Sequence, residues 1–105
     1  MSSATPRINF KYLSEFEGKT IRIVGKVGEK QGNNVILHTT DNGQVIVDRS
    51  NNLEKNYQTN NVEVLGVWNN NQLSELTFFN LSDNFDFDTH NQMIDLSMKH
   101  KEIFM

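Results

Sequence analysis

Cysteine is absent from this 105-residue chain, which rules out a disulfide framework or a thiolate metal site and fits a reducing compartment. Positive charge is scarce as well: 10 Lys and Arg stand against 13 Asp and Glu, a formal net charge of -3. Such a field repels a polyanion, so any nucleic-acid contact has to be local or weak. No run approaches the ~20 apolar residues of a membrane span, and the opening MSSATPRINF carries no apolar signal core. The expectation is an intracellular soluble protein, in which the glycosylation-like triplet Asn80-Leu81-Ser82 is coincidental. Catalytic patterns are missing too. His38, His90 and His100 lack metal-ligand spacing, no Ser or Thr lies in a nucleophile motif, and no glycine-rich loop joins a strand to a helix as a phosphate cradle requires. The run Asp83, Asp86, Asp88 lacks the glycine and terminal glutamate of a calcium loop, and acidic residues just ahead of a helix answer its positive N-terminal dipole. The expectation is a protein that is not an enzyme and needs no cofactor.

What the sequence does contain is a small apolar core in a strand rhythm. With 36% hydrophobic residues, a chain of this length is one domain and can bury an ordinary small core. Residues 1–6 are small and polar and read as a flexible lead-in. Asn9 is placed to cap a short helical turn with Leu13 and Phe16 on one side, ended by Gly18. From Thr20 the period becomes two: Ile21, Ile23 and Val27 alternate with Arg22, Val24 and Lys26. Gly25 inside this run marks a bulge or a bend where one strand serves two sheets, and Gly66 inside NVEVLGVW is a second interior glycine read as a bend. Turns at 31–34 and at Asp41-Asn42-Gly43 set off VILHTT and QVIVD as the rest of a three-strand meander. A polar crossover over 49–61, anchored by Leu53 and Tyr57, leads to NVEVLGVW and LSELTFFNL, folded back on each other at Asn69-Asn70-Asn71. The prediction is an all-β domain with a terminal helix: a five-stranded Greek-key OB-fold barrel over 7–83 and a C-terminal amphipathic α-helix over 86–105. Closure removes the edges a small sheet would expose, whereas an SH3-like barrel leaves the terminal helix without a place.

The terminal helix is the most informative stretch. At about 100° per residue, Asp88, Asn91, Gln92, Asp95, Lys99 and Glu102 fall in one polar arc. The rest of the circumference carries Met93, Ile94, Leu96, Met98, Ile103 and Phe104, more apolar surface than a helix needs to rest on one domain. No other helix long enough to cover it is visible, so the helix belongs to an assembly. Its candidate partner-interface residues are Met93, Ile94, Leu96, Ser97, Met98, His100, Lys101, Ile103 and Phe104. A nucleic-acid contact on an OB barrel would use rings for stacking and basic side chains along the backbone. The candidates for weak single-stranded DNA contact are Arg22, Lys26, Lys30, His38, Arg49 and Trp68. The plainer assignment puts Trp68, and one of Phe78 and Phe79, in the core or an interface, and the basic side chains on a solvated strand face.

Pro6-Arg7-Ile8, Gly18-Lys19 followed by IRIVGKV, VEVLGVW, and FDFDTHNQMIDLSMKHKEIF stand in an order and spacing that resemble the small subunit of replication protein A, the eukaryotic heterotrimer that coats single-stranded DNA. The likeness spans essentially the whole chain. It implies an OB-fold whose C-terminal helix joins helices of the middle and large subunits in a three-helix bundle. It further implies a nuclear protein of DNA replication, repair and recombination, with single-stranded DNA held mainly through the complex. The smallest subunit of the telomere-capping CST complex shares this architecture but matches the PRI and IRIVGKV segments less well, and ranks second. On the residues alone, a structural subunit competes with a freestanding single-strand binder. The latter needs a basic, aromatic-rich groove, and the composition is acidic.

Overall fold

The computed structural model describes residues 5–99. Its longest strand, β2 (Thr20–Gln31), follows β1 (Arg7–Ile8) and organises the sheet. The first half of β2, through Lys26, pairs antiparallel with β5 (Asn61–Asn69), and the half from Gly25 onward pairs with β3 (Asn34–Thr39). Gly25 is the switch point, opposite Thr39 on one side and Val62 on the other. A Cβ there would stand 2.5 Å from the His38 carbonyl oxygen and 2.8 Å from Leu37 Cγ, so the bend expected at this glycine exists because only glycine lets the backbones meet so closely.

β3 turns into β4 (Gln44–Asp48). β5 turns into β6 (Gln72–Leu81) through Asn70-Asn71, both with left-handed φ as a two-residue hairpin requires. The parallel pairing of β4 with β6, Ile46 opposite Gln72, closes the ring β2-β3-β4-β6-β5 back onto β2. These are the five predicted strands. β1 is a sixth, only two residues long and parallel to β2, too short to show a period in the sequence. Inside the ring the alternate residues Ile21, Ile23, Leu37, Val45, Val47, Val62, Val64 and Leu73 meet in one core.

The 3₁₀ helix Phe10–Phe16 packs Leu13 and Phe16 into that core. Its cap is not the one expected. Asn9 makes no side-chain capping bond; instead Asp41, in the β3–β4 turn, accepts from the Phe10 and Lys11 amides at 3.0 and 3.1 Å. The crossover is anchored differently as well. Tyr57 does pack, edge-on to Phe78 at 4.7 Å, but Leu53 is exposed. The buried anchor is Arg49, whose Nε donates to both oxygens of the fully buried Glu75, at 3.3 and 3.1 Å. Its Nη2 reaches the Asn52 and Lys55 carbonyls, while the Asn52 amide and the Tyr57 hydroxyl also donate to Glu75. Burial, with the Glu75 carboxylate alongside, pushes the Tyr57 phenol well above its ordinary range and keeps it a donor.

Candidate partner and nucleic-acid interface

The helix α1 spans Phe87–Lys99. Asp86 caps it, accepting from the Thr89 amide at 3.0 Å and from the Thr89 hydroxyl at 2.8 Å, bonds that hold its carboxyl below the usual range. Ile94, 3% exposed, and the buried His90 face the barrel, and Met98 packs against the main core. Beside them stand two members of the predicted polar arc. Asn91 Oδ1 accepts from Asn9 Nδ2 at 2.9 Å and from the Thr40 hydroxyl, and its Nδ2 donates to the Thr40 carbonyl at 2.8 Å. Asp95 accepts from Tyr12 Oη at 2.8 Å and Lys11 Nζ at 2.7 Å, and both contacts lower its pKa.

The barrel therefore takes a mixed face of α1, and the flank turned to solvent carries Met93, 52% exposed, and Leu96, 58% exposed, with Ser97 exposed nearby. Ile94 corrects the expectation: its side chain is spent on the chain's own barrel and is not free for a partner. His100, Lys101, Ile103 and Phe104 lie outside the described residues. Nothing in the helical periodicity distinguishes Asn91 and Asp95 from solvated residues, because their partners Asn9, Lys11, Tyr12 and Thr40 are distant in sequence. Between α1 and the N-terminal segment runs a groove of about 460 Å³, lined by Pro6, Arg7, Phe16, Arg22, His90, Met93, Ile94, Ser97 and Met98.

The six residues considered for DNA contact do not form one surface. Lys26 lies opposite His38 across β2 and β3, with Lys30 beyond a register shift on the same strand, and all three are exposed. Lys30 pairs with the core-side Val35 and so faces away from the Lys26–His38 pair, whose outer neighbours Asn61 and Gln44 add no ring to the His38 imidazole. A neighbouring open groove of about 620 Å³ sets Lys26 beside the rings of Phe85 and Phe87 but also beside Asp83, Asp86 and Asp88, whose charge opposes a phosphate. Arg22 sits apart, next to Arg7 across the β1–β2 pairing. Arg49 is ruled out as a contact by its buried pairing with Glu75. Trp68, 8% exposed, belongs to the core, in line with the plainer assignment. Among the described residues no group of three His, Cys, Asp or Glu could hold a metal ion, and no helix is long and apolar enough to cross a membrane.

A five-stranded ring bent at Gly25, plugged by a short helix and carrying a docked terminal helix with an apolar outer flank, defines an OB-fold subunit of the assembling kind. The sequence model described as Replication factor A protein 3 matches residues 1–104. The chain belongs to that family, the small subunits of replication protein A. Replication factor A protein 3 of Schizosaccharomyces pombe is 26% identical over 104 residues, which cover 99% of this chain and 98% of the relative. Among solved structures, a chain of U. maydis replication protein A bound to single-stranded DNA superposes with a TM-score of 0.85 at 25% identity, covering 99% of this chain and 98% of that one. The S. pombe Stn1-Ten1 complex gives a TM-score of 0.76 at 16% identity, over 94% and 96% of the two chains, a likeness of fold alone.

Proposed function

We propose that this chain is the subunit that holds a replication protein A heterotrimer together in the nucleus, in DNA replication, repair and recombination. In this reading α1 joins helices of the middle and large subunits in a three-helix bundle, and those partners carry most of the affinity for single-stranded DNA. The chain acts without catalysis or cofactor. One observation carries the proposal: with Asn91 and Asp95 on the inner side of α1 held by Asn9, Tyr12 and Thr40, Met93 and Leu96 remain more than half exposed. Apolar anchors of this kind at an interface centre commonly contribute more than ~1 kcal/mol each. Replacing Met93 and Leu96 together by Asp removes them without touching the barrel-facing side chains. The expected result is loss of the subunit from the co-purified complex with an unchanged thermal melt; retention at wild-type stoichiometry would sink the proposal.

The second reading, a subunit of a telomere-capping CST-like complex, rests on the fold likeness to the Stn1-Ten1 complex. Purifying the native assembly and identifying its other subunits separates the two. Direct DNA contact, in either complex, falls to the exposed Lys26–His38 pair, with Lys30 beyond it on the other face, and is auxiliary.

A further inference from the structure

Two side chains that line the groove between α1 and β1, Arg22 and His90, each carry a buried polar atom without a hydrogen-bond partner, Arg22 Nε and His90 Nε2. Arg22 is placed directly beside Arg7 in the parallel register, and like charges so placed repel. Arg7 is compensated, its Nε 2.8 Å from Glu63 Oε2. Among the described residues Arg22 has no carboxylate of its own. A buried donor left unsatisfied costs the chain stability, so the arrangement is poorly adapted to the isolated subunit and well adapted to one that receives an anion.

We infer that Arg22 and His90 form a receptor for a single acidic side chain, Asp or Glu, borne by an apolar segment of a partner subunit that lies along the groove beside α1. The inference rests on the proposal that the outer flank of α1 is the partner interface, since Met93 belongs to both surfaces. Charge and lining choose the occupant. The groove offers one uncommitted arginine set among Pro6, Phe16, Ile94 and Met98, which suits a lone carboxylate on an apolar stem; a nucleic-acid strand needs a row of cations in open solvent. A guanidinium meeting a carboxylate in such a partly dry site also sets register and partner choice, because a neutral or basic residue at that point leaves Arg22 unpaired.

The test uses the purified heterotrimer and the full-length chain, with Arg22→Met to keep the apolar stem and remove the charge. The release rate of labelled small subunit from the complex should rise at least 10-fold and lose part of its dependence on salt. The melting temperature of the isolated chain should stay level or rise. Arg22→Glu should release faster still, and changing the paired acidic residue of the partner to Lys should restore it. Wild-type release by Arg22→Met, with release still provoked by Leu96→Asp, overturns the inference and leaves the interface reading intact. If Leu96→Asp also has no effect, the interface reading fails first. A melt lowered in step with faster release makes Arg22 merely structural. Loss of oligothymidine binding by the isolated Arg22→Met chain, with unaltered assembly, assigns the groove to phosphate instead.

Discussion

Arg49 and Glu75 show what a single buried pair can decide. Glu75 is fully enclosed and takes bonds from Arg49, Asn52 and Tyr57, while the Arg49 guanidinium lies 4.1 Å from the centre of the Tyr57 ring. Three of these four residues belong to the crossover, so the pair fastens an otherwise polar loop to β6. Arg49→Met should destabilise the fold by about 3–5 kcal/mol, because the carboxylate is left buried and uncompensated. Adding Glu75→Leu should recover much of the loss; urea melts of the single and double variants measure both. His90 works through pH. Burial lowers its pKa from the ordinary 6.5, the Arg7 charge adds to that, and Glu63 opposes it. The unfolded chain thus takes up a proton near pH 6.5 that the folded chain resists, so stability should fall as pH drops below about 6.5 and be level just above it. His90→Asn should flatten that limb in thermal melts taken from pH 5 to 8, and an unchanged limb would refute the assignment.

At the scale of elements, the interior glycines Gly25 and Gly66 are sites of backbone approach. A Cβ at Gly66 would stand 2.3 Å from the Ser74 carbonyl oxygen, beside the bulge at which Leu65 opposes Thr77 and Gly66 opposes Glu75. Gly25 meets the His38 carbonyl in the same way. Since a backbone oxygen cannot swing aside, Gly25→Val and Gly66→Val should each cost at least ~1–3 kcal/mol, and melts within a degree of wild type would disprove the close approach. Gly32→Ala is the control: nothing lies within 4 Å of its Cβ position, and only its left-handed φ of 61° resists the change. The switch at Gly25 was legible because a glycine inside a period-two run weakens the strand unless the backbone needs the space it leaves; at Gly66 the expected passage between sheets is a bulge instead, since β5 keeps β2 and β6 on its two sides throughout. The strands, the Asn70-Asn71 turn and the helix were legible for a related reason, each being a local pattern. The inner face of α1 was not: Asn91 and Asp95 read as solvated until tertiary structure brings Thr40 and Tyr12 to them. Arg49 was hidden likewise, since its partner Glu75 lies 26 residues away, and the cap from Asp41 crosses 31 residues.

For the molecule as a whole, charge and shape point the same way on DNA. The net charge of -3 is joined by a local arrangement in which Asp83, Asp86 and Asp88 share a groove with Lys26. Of the six residues weighed for contact, Lys26, Lys30 and His38 are exposed, but Lys30 pairs with the core-side Val35 and faces away from the Lys26–His38 pair; only two are lysines, and the one ring among them is the His38 imidazole. Two or three neutralised phosphates correspond to a slope of log affinity against log salt no steeper than about -2 for a single strand. The isolated chain should therefore bind oligothymidine at micromolar levels or weaker, with that shallow slope, in a fluorescence titration across salt concentrations. Lys26→Ala and Lys30→Ala should each reduce the slope by under one unit and leave thermal stability unchanged, as expected of exposed strand residues. Nanomolar binding at physiological salt, or a slope of about -4 or steeper, would require a cationic surface that residues 5–99 do not present, and would move the chain from the holder of a complex to a DNA binder in its own right.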